Sequence, residues 1–302
     1  NMWPLLALAI GQMFVLIVGG IDLSQTSIMA VVSVLGAAVM SSQVDPVLFE
    51  KSPLWGLWLS QEGGWLGGHP AATPIAILIM LMVGMGIGLI NGISVARFNM
   101  PPFMVSLISM MFFSGLAIYL TASENITHLP EGFITIGKGG IGWLSFAFLI
   151  VLILAMVAHL ILKRTILGRW FYAVGINIKA SIVSGVPTQR VIVLAYVFSG
   201  FCAAVGSILY SARLEGGRPT LGQDLLLDII GAAVIGGISL FGGKGKVIWA
   251  LYGVLFFVLL SNSLNMMNLS FFTINLVKGS VILLAAFLDV IRVRLAARGG
   301  VS

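Results

Sequence analysis

The chain has 302 residues, of which 59% are hydrophobic and only 9% are charged, and its mean hydropathy is +1.10. Soluble domains carry about 25% charged residues, so this composition excludes a soluble globular domain, a disordered chain and a collagen-like chain. The formal net charge of +6 indicates basic loops on one side of a membrane and not a nucleic-acid partner. The sequence therefore predicts an all-α polytopic membrane protein.

Nine apolar stretches are candidates to cross a bilayer, which needs about 20 residues per helix. In the third stretch, Gly84, Gly88 and Gly92 recur at every fourth position, which predicts close packing against a neighbouring helix. The seventh stretch is short and contains Gly236 and Gly237, so it is expected to be a thin crossing or a re-entrant segment. The nine stretches are 2–18, 24–41, 73–96, 103–121, 143–162, 191–211, 229–241, 247–265 and 270–291.

The basic residues orient these spans, because cytoplasmic loops are enriched in lysine and arginine. If the C-terminus is cytoplasmic, eleven basic residues lie inside, four lie outside and Lys278 falls within the last span. Residue 2 then begins outside, so a cytoplasmic N-terminus requires a further span before Asn1 and about ten spans in total. The inner basic residues are Arg97, Lys163, Arg164, Arg169, Lys179, Arg190, Lys244, Lys246, Arg292, Arg294 and Arg298. The acids expected outside are Asp45, Glu50, Glu62, Glu124, Glu131, Glu215, Asp224 and Asp228.

Two long loops interrupt what we predict to be a single transmembrane domain over residues 1–302. The external loop 42–72 contains three tryptophans, which form either an interfacial aromatic belt or a surface that docks an external partner. The internal loop 163–189 contains a short amphipathic stretch, 177–184, between Gly175 and a Gly-Val-Pro breaker. This stretch predicts a short helix lying across the cytoplasmic surface.

No group of residues predicts catalysis, a metal site or a bound cofactor. The single cysteine, Cys202, excludes an internal disulfide, and the three histidines are scattered along the chain. The stretch 242–246 lacks the Gly-Lys-Ser/Thr sequence of a phosphate-binding loop. If the protein uses ATP, we therefore expect the nucleotide and its Mg²⁺ to be bound by partner subunits.

Six polar residues are candidates for a substrate path. Asp22 either caps the helix that begins near Ser24 or takes part directly in substrate passage. Lys278 has no nearby acid in the sequence, so it either snorkels outward or pairs with an acid or carbonyl of another helix. Asparagines within spans would either hydrogen-bond sugar hydroxyls or join neighbouring helices. The six residues are Asp22, Ser24, Asn91, Asn262, Asn265 and Lys278.

Three segments, taken together, resemble permease subunits of binding-protein-dependent ABC importers, in the branch that carries ribose and other monosaccharides. They are Gly-Ile-Asp-Leu-Ser at 20–24, Leu-Gly-Arg-Trp-Phe-Tyr-Ala-Val-Gly-Ile-Asn at 167–177, and Ala-Ala-Val-Ile-Gly-Gly-Ile-Ser-Leu-Phe-Gly-Gly-Lys-Gly at 232–245. The chain departs from the family by having Ser-Gln-Thr-Ser at 24–27 and isoleucine at 176, and its external loop is long. These departures leave the precise substrate open.

The resemblance implies a permease for a monosaccharide or similar small polyol in a bacterial inner membrane. It also implies three kinds of partner: ABC ATPase subunits, a periplasmic or lipid-anchored substrate-binding protein, and a second permease that is identical or related. The internal loop would dock in the ATPase, so that nucleotide-driven closure rocks the spans. The residues implied for ATPase coupling are Gly168, Arg169, Gly175, Asn177, Ala180, Ser184 and Gly185, and the structural glycines are Gly20, Gly236, Gly237, Gly242 and Gly243.

A secondary transporter driven by an ion gradient is the alternative function. Its support is that the Gly-interrupted segments at 19–24 and 231–243 would suit broken helices around a midplane site. The scarcity of acids within the spans and the polar internal loop argue against it. An intramembrane enzyme is disfavoured because no nucleophile and base are paired in the sequence.

Overall fold

A computed structural model describes residues 2–298, and it confirms that the chain is mostly helical. Two small antiparallel hairpins lie in the loops: β1 (Leu59–Ser60) pairs with β2 (Gly63–Gly64), and β3 (Gly140–Ile141) pairs with β4 (Leu144–Ser145). The helices are α1 (Met2–Ile17), α2 (Gln25–Met40), α3 (Pro46–Phe49), α4 (Ala72–Arg97), α5 (Pro102–Thr121), α6 (Glu131–Lys138), α7 (Phe146–Arg164), α8 (Ile166–Ile176), α9 (Ile178–Val183), α10 (Thr188–Leu214), α11 (Leu226–Ile235), α12 (Val247–Met266) and α13 (Phe271–Arg298), with a 3-10 turn at Gln223–Leu225.

Five of the described helices are long and apolar enough to cross a membrane, namely α4, α5, α7, α10 and α12. The helices α1 and α2 have 16 residues each, and a helix of that length spans only about 24 Å of a hydrocarbon core about 30 Å thick. The stretch Phe271–Ala285 of α13 is apolar as well. The multi-span class is therefore clear from the structure, whereas the predicted count of nine is not confirmed.

The helices α1, α2 and α10 form the centre of the bundle. Almost every residue of α1 and α2 is buried, as expected for helices that are apolar on all sides. The helix α10 packs against α4, α1 and α2. In contrast, α4, α5, α7 and α12 bury only one stripe each and leave their remaining apolar side chains exposed.

The glycine ridge of α4 packs against α10, as its spacing predicts. A Cβ atom added to Gly84 would lie 2.6 Å from the carbonyl oxygen of Gly200, and one added to Gly88 would overlap the carbonyl oxygen of Tyr196. The absence of these side chains lets the two backbones touch. On another face of α4, Gly86 has no heavy atom within 4 Å of the same position.

This pair of glycines gives a matched test of the α4–α10 contact. Gly88→Val should destabilise the protein, because overpacking against backbone costs about 1–3 kcal/mol or more and no flexible side chain can yield. Gly86→Val adds the same atoms to open space and should leave stability unchanged. Thermal unfolding of both variants in the same detergent provides the measurement. Equal midpoints would show that the α4–α10 contact does not limit stability.

The structure around the seventh predicted span, 229–241, differs from a continuous membrane-spanning helix. The helix α11 has only ten residues, and irregular chain precedes it. This irregular chain runs along α2. A Cβ atom added to Gly217 would overlap the Cβ of Ala37, and one added to Gly222 would lie 3.0 Å from the Met29 sulfur, two turns nearer the start of that helix. Irregular backbone is tolerated at membrane depth when protein covers it, and here α2 does so. In place of the predicted continuous span, the structure has an irregular segment followed by a short helix.

Candidate functional site

Asp22 lies in a buried hydrogen-bonded cluster that joins the α1–α2 connection to α4 and α10. Its Oδ1 accepts hydrogen bonds from the Ser24 amide (2.9 Å) and hydroxyl (2.6 Å), and its Oδ2 accepts one from the Ser199 hydroxyl (2.7 Å). Asn91 donates to the Ser24 hydroxyl (2.9 Å), and Gln25 donates to the Ser199 hydroxyl (2.8 Å). Three of the six residues predicted for the substrate path therefore meet in one cluster.

The cluster is internal to the bundle, because Asp22, Ser24 and Asn91 are all buried. Ser24 precedes α2 but makes no side-chain hydrogen bond to the free amides of that helix. Asp22 accepts instead from the Ser24 amide, just before the helix begins. The carboxylate thus organises the α1–α2 connection, which is close to the predicted capping role without being a standard helix cap.

The contacts of Asp22 predict different results for two substitutions. Asp22→Ala leaves the Ser24 amide and two hydroxyls without their acceptor, and each unsatisfied buried group costs about 1–3 kcal/mol. Asp22→Asn keeps one carbonyl oxygen, so it should unfold at a higher temperature than Asp22→Ala and retain most transport. Thermal unfolding and vesicle uptake measure the two effects. A stable Asp22→Asn protein without transport would instead show that substrate passage uses the charge itself.

Lys278 forms a buried ion pair with Asp228, which links α13 to the first turn of α11. The Lys278 Nζ donates to Asp228 Oδ2 at 2.9 Å and lies 2.8 Å from Oδ1, although the contact with Oδ1 lacks hydrogen-bond geometry. Both side chains are almost fully buried. Of the two interpretations of Lys278, the structure supports pairing with an acid of another helix.

The position of Asp228 corrects the sequence prediction, which placed this acid in an external loop. The predicted span began one residue after Asp228, whereas α11 begins before it because the irregular segment has already carried the chain into the bundle. Three residues further along α11, Gly231 packs against Phe257, which lies near the middle of α12. The acid is therefore part of the packed membrane domain.

Asn262 and Asn265 lie apart from the cluster, exposed near the end of α12. Asn265 donates to the carbonyl of Ser261 on its own helix at 2.7 Å. Whereas Asn91 of α4 donates to Ser24 at the start of α2, α12 packs mainly against α11 and α1. The structure therefore divides the six predicted residues into an internal cluster, an ion pair and two exposed amides.

The internal loop 163–189 forms two helices on one face of the bundle. The predicted helix at 177–184 is present as α9, with the Asn177 side chain accepting from the Ala180 amide at 3.0 Å and Ser184 at its end. The sequence analysis missed α8, whose first turn is capped by Thr165 accepting from the Gly168 amide at 3.1 Å. The presence of a threonine three residues before that amide was the available signal.

Residues implied for coupling fall into two groups. Gly168 and Gly175 have packing roles, since a Cβ atom on either would overlap a backbone carbonyl oxygen, that of Ile17 in the case of Gly175. The remaining five are exposed on α8, on α9 or at its ends: Arg169, Asn177, Ala180, Ser184 and Gly185. Gly168 and Gly175 thus let this face pack closely against its neighbours, while the other five residues stay exposed.

The packing of α8 brings two of the three family-like segments, 167–177 and 232–245, into contact with each other and with α1. The Gly243 amide donates to the Ile17 carbonyl at 2.8 Å, and the Tyr172 hydroxyl donates to the Gly245 carbonyl at 2.7 Å. Gly242 and Gly243 adopt positive φ angles of 90° and 72°, which glycine accommodates without strain. We call this contact of α8, the end of α1 and residues 242–245 the glycine joint.

The bundle and its peripheral α8–α9 face define a multi-span membrane protein. Residues 2–286 match the family model described as branched-chain amino acid transport system / permease component, and the chain belongs to this family of ABC importer permeases. It is 34% identical over 284 residues to the ribose import permease protein of Bacillus subtilis. This alignment covers 93% of this chain and 80% of that protein.

Two further relatives carry the names of other sugars. The galactofuranose transporter permease protein of Escherichia coli is 33% identical over 253 residues, covering 83% of this chain and 66% of that protein. The D-allose transport system permease protein of Escherichia coli is 27% identical over 282 residues, covering 93% and 78%. No solved structure matches the chain. None of these comparisons supports the alternative of transport driven by an ion gradient.

Proposed function

We propose that this chain carries a monosaccharide or a similarly small polyol across a bacterial inner membrane. Relatives named for ribose, galactofuranose and allose support a sugar, and the ribose permease aligns with 93% of the chain. Among the residues that the structure describes, no three His, Cys, Asp or Glu side chains form a possible metal site. In this proposal, partner ATPase subunits bind ATP and Mg²⁺.

The glycine joint is the observation that carries the mechanism. The α8–α9 face would dock on the ATPase at the cytoplasmic surface, and the C-terminus would lie on the same side. Because α8 touches the end of α1 and the segment that follows α11, a displacement of the face reaches both elements directly. The ATPase would thus drive a rigid-body change between inward-facing and outward-facing states. Each partner must bind one state better than the other for this to occur.

The proposed path lies outside the sealed Asp22 cluster. The exposed amides of Asn262 and Asn265 would face a second permease, identical or related, across a shared passage, and a soluble binding protein would deliver the sugar to the opposite face. Amides hydrogen-bond hydroxyl groups without the cost of burying a charge. In this arrangement, the cluster of Asp22, Ser24 and Asn91 stabilises the helices beside the path. The Lys278–Asp228 ion pair joins α13 to α11.

Co-purification from the native host in mild detergent tests this proposal. An ATPase subunit in near-equal amount is expected, and a substrate-binding protein that accompanies it can be screened against sugars. Reconstituted vesicles should then take up the sugar only with ATP and the binding protein. Active uptake by a preparation that lacks any nucleotide-binding partner would contradict the proposal and favour the ion-gradient alternative.

A further inference from the structure

A cavity of about 310 Å³ lies between α4 and α5 and is built from residues within 90–113. Asn91 and Ser94 contribute polar groups from α4, and Ser109 contributes one from α5. The described lining residues include no charged side chain, and the other walls are apolar: Ile90, Met100, Val105, Ile108, Phe112 and Phe113. Small-molecule sites are typically clefts of this size, with largely apolar walls and a few polar groups that orient the ligand.

The hydroxyl of Ser109 is the unusual polar group of this cavity. The residue is only 7% exposed, and its Oγ has no hydrogen-bond partner among the described residues. Serines within helices can donate to a carbonyl of the preceding turn, as Ser94 does to Ile90 at 2.8 Å and Ser106 does to Pro102 at 3.0 Å. Because a buried hydroxyl without a partner is unfavourable, Ser109 needs a partner that the described bundle does not supply.

Asn91 offers a second group, since the bundle uses only one end of its amide. Its Nδ2 donates to the Ser24 hydroxyl at 2.9 Å, and that hydroxyl donates to Asp22 Oδ1 at 2.6 Å. This chain of hydrogen bonds fixes the amide nitrogen toward the Asp22 cluster, and the Asn91 Oδ1 accepts no hydrogen bond from the described residues. The two walls of the cavity thus present a carbonyl acceptor and a hydroxyl that can donate or accept, which match two hydroxyl groups of a polyol.

The cavity lies next to an opening on the α8–α9 side of the bundle. Met100 lines this cavity and also a second one, of about 380 Å³. Ile178 and Ile182 of α9 line the second cavity, and so do the exposed residues Asn99 and Gln189. In the proposed orientation the second cavity faces the cytoplasm, so a displacement of α9 by the ATPase would change this opening directly.

We propose that the α4–α5 cavity is an inner sugar site, which holds a neutral monosaccharide or small polyol just before its release. One hydroxyl of the sugar donates to Asn91 Oδ1, and another pairs with Ser109. The volume is about ten times that of a water molecule in the liquid, the scale of a pentose or hexose. A charged substrate would lack a counter-charge there. The site rests on the proposed function, and it adds an inner contact to the amides of Asn262 and Asn265 near the other end of α12.

Thiol labelling of the complete transporter in vesicles tests whether the cavity is open to water. The native Cys202 is fully buried, so Ile108→Cys places one accessible thiol in the cavity wall. A hydrophilic methanethiosulfonate reagent should label it quickly, because the reactive thiolate forms in water and not in lipid. The control is Met111→Cys, which lies on the same helix and is 68% exposed but does not line the cavity. It should react much more slowly.

Protection of this thiol by sugar measures binding at the site directly. The probe is the sugar that the unmodified complex takes up, beginning with D-ribose and D-allose, and it should slow the labelling of Ile108→Cys. Adding Ser109→Ala should raise the half-protecting concentration about 3–10-fold, the effect of one lost hydrogen bond. It should not lower the thermal unfolding midpoint, because no bond within the bundle is lost. Ser94→Ala is the matched control, since its hydroxyl already bonds Ile90, and it should leave protection unchanged.

Three results would overturn the inner sugar site. They are equal labelling of Ile108→Cys and Met111→Cys, labelling that the transported sugar does not slow, and a half-protecting concentration that Ser109→Ala leaves unchanged. In each of these cases the unmodified complex would still take up sugar with ATP and the binding protein. Failure of the proposed function differs, because the unmodified complex would then show no ATP-driven uptake, and the inner sugar site would fall with it.

Discussion

Replacing Lys278 with methionine should strongly destabilise the permease. The substitution leaves Asp228 as a buried carboxylate without its partner, and breaking a buried pair in this way costs about 3–5 kcal/mol. Asp228→Asn should have a similar effect, because it leaves the ammonium group unpaired. Both variants are expected to lose most of their transport together with their thermal stability.

The double variant Asp228→Asn with Lys278→Met distinguishes the pair from its separate members. It removes both charges at once, so it should recover much of the stability that either single variant loses. The exposed pair of Lys138 and Glu215 provides the control, since these side chains are 51% and 50% exposed. Breaking that pair with Lys138→Met should cost only about 0–1 kcal/mol. Equal effects of Lys278→Met and Lys138→Met on thermal unfolding would rule out a special role for the buried pair.

The ion pair also shows which part of the site could be predicted from the sequence and which could not. A lysine within an apolar span has to find a partner or reach water, so Lys278 could be identified as unusual from its position alone. Its partner could not be found, because spans were assigned as continuous apolar helices of about 20 residues. Asp228 follows an irregular segment that lies against α2, and only the folded chain shows that this segment is inside the bundle.

Features that depend on a short stretch of sequence could be predicted, whereas contacts between residues far apart in the sequence could not. The every-fourth glycines of α4 identified a packing face because their spacing is a property of one helix. The α9 helix was predictable from its amphipathic pattern and from the breakers on either side. Gly175, in contrast, was assigned to docking because its segment resembles a coupling region. The structure places this glycine against Ile17 and Gly243, which are far away in sequence, so its packing role could not be read from its neighbours.

The exposed apolar residues of α9 give the second large expected effect. Val183→Glu should abolish co-purification of the ATPase while leaving the permease folded. Val183 is 90% exposed and Ile182 is 58% exposed, so neither contributes much to the packing of the permease itself. An apolar side chain at the centre of an interface can contribute about 2 kcal/mol or more, and a charge placed there also has to be desolvated. A loss of at least roughly 30-fold in affinity for the ATPase is therefore expected.

Val47→Glu is the matched control for this substitution, because Val47 is 83% exposed but lies in the loop on the opposite side of the bundle. It should leave association with the ATPase unchanged. A bulky residue at Gly175 would be a poorer test, since it would displace α8 from α1 and confound docking with folding. Normal ATPase association and normal ATP-driven uptake by Val183→Glu would show that α9 is not the docking element. The ATPase would then have to contact the permease through an element other than α9.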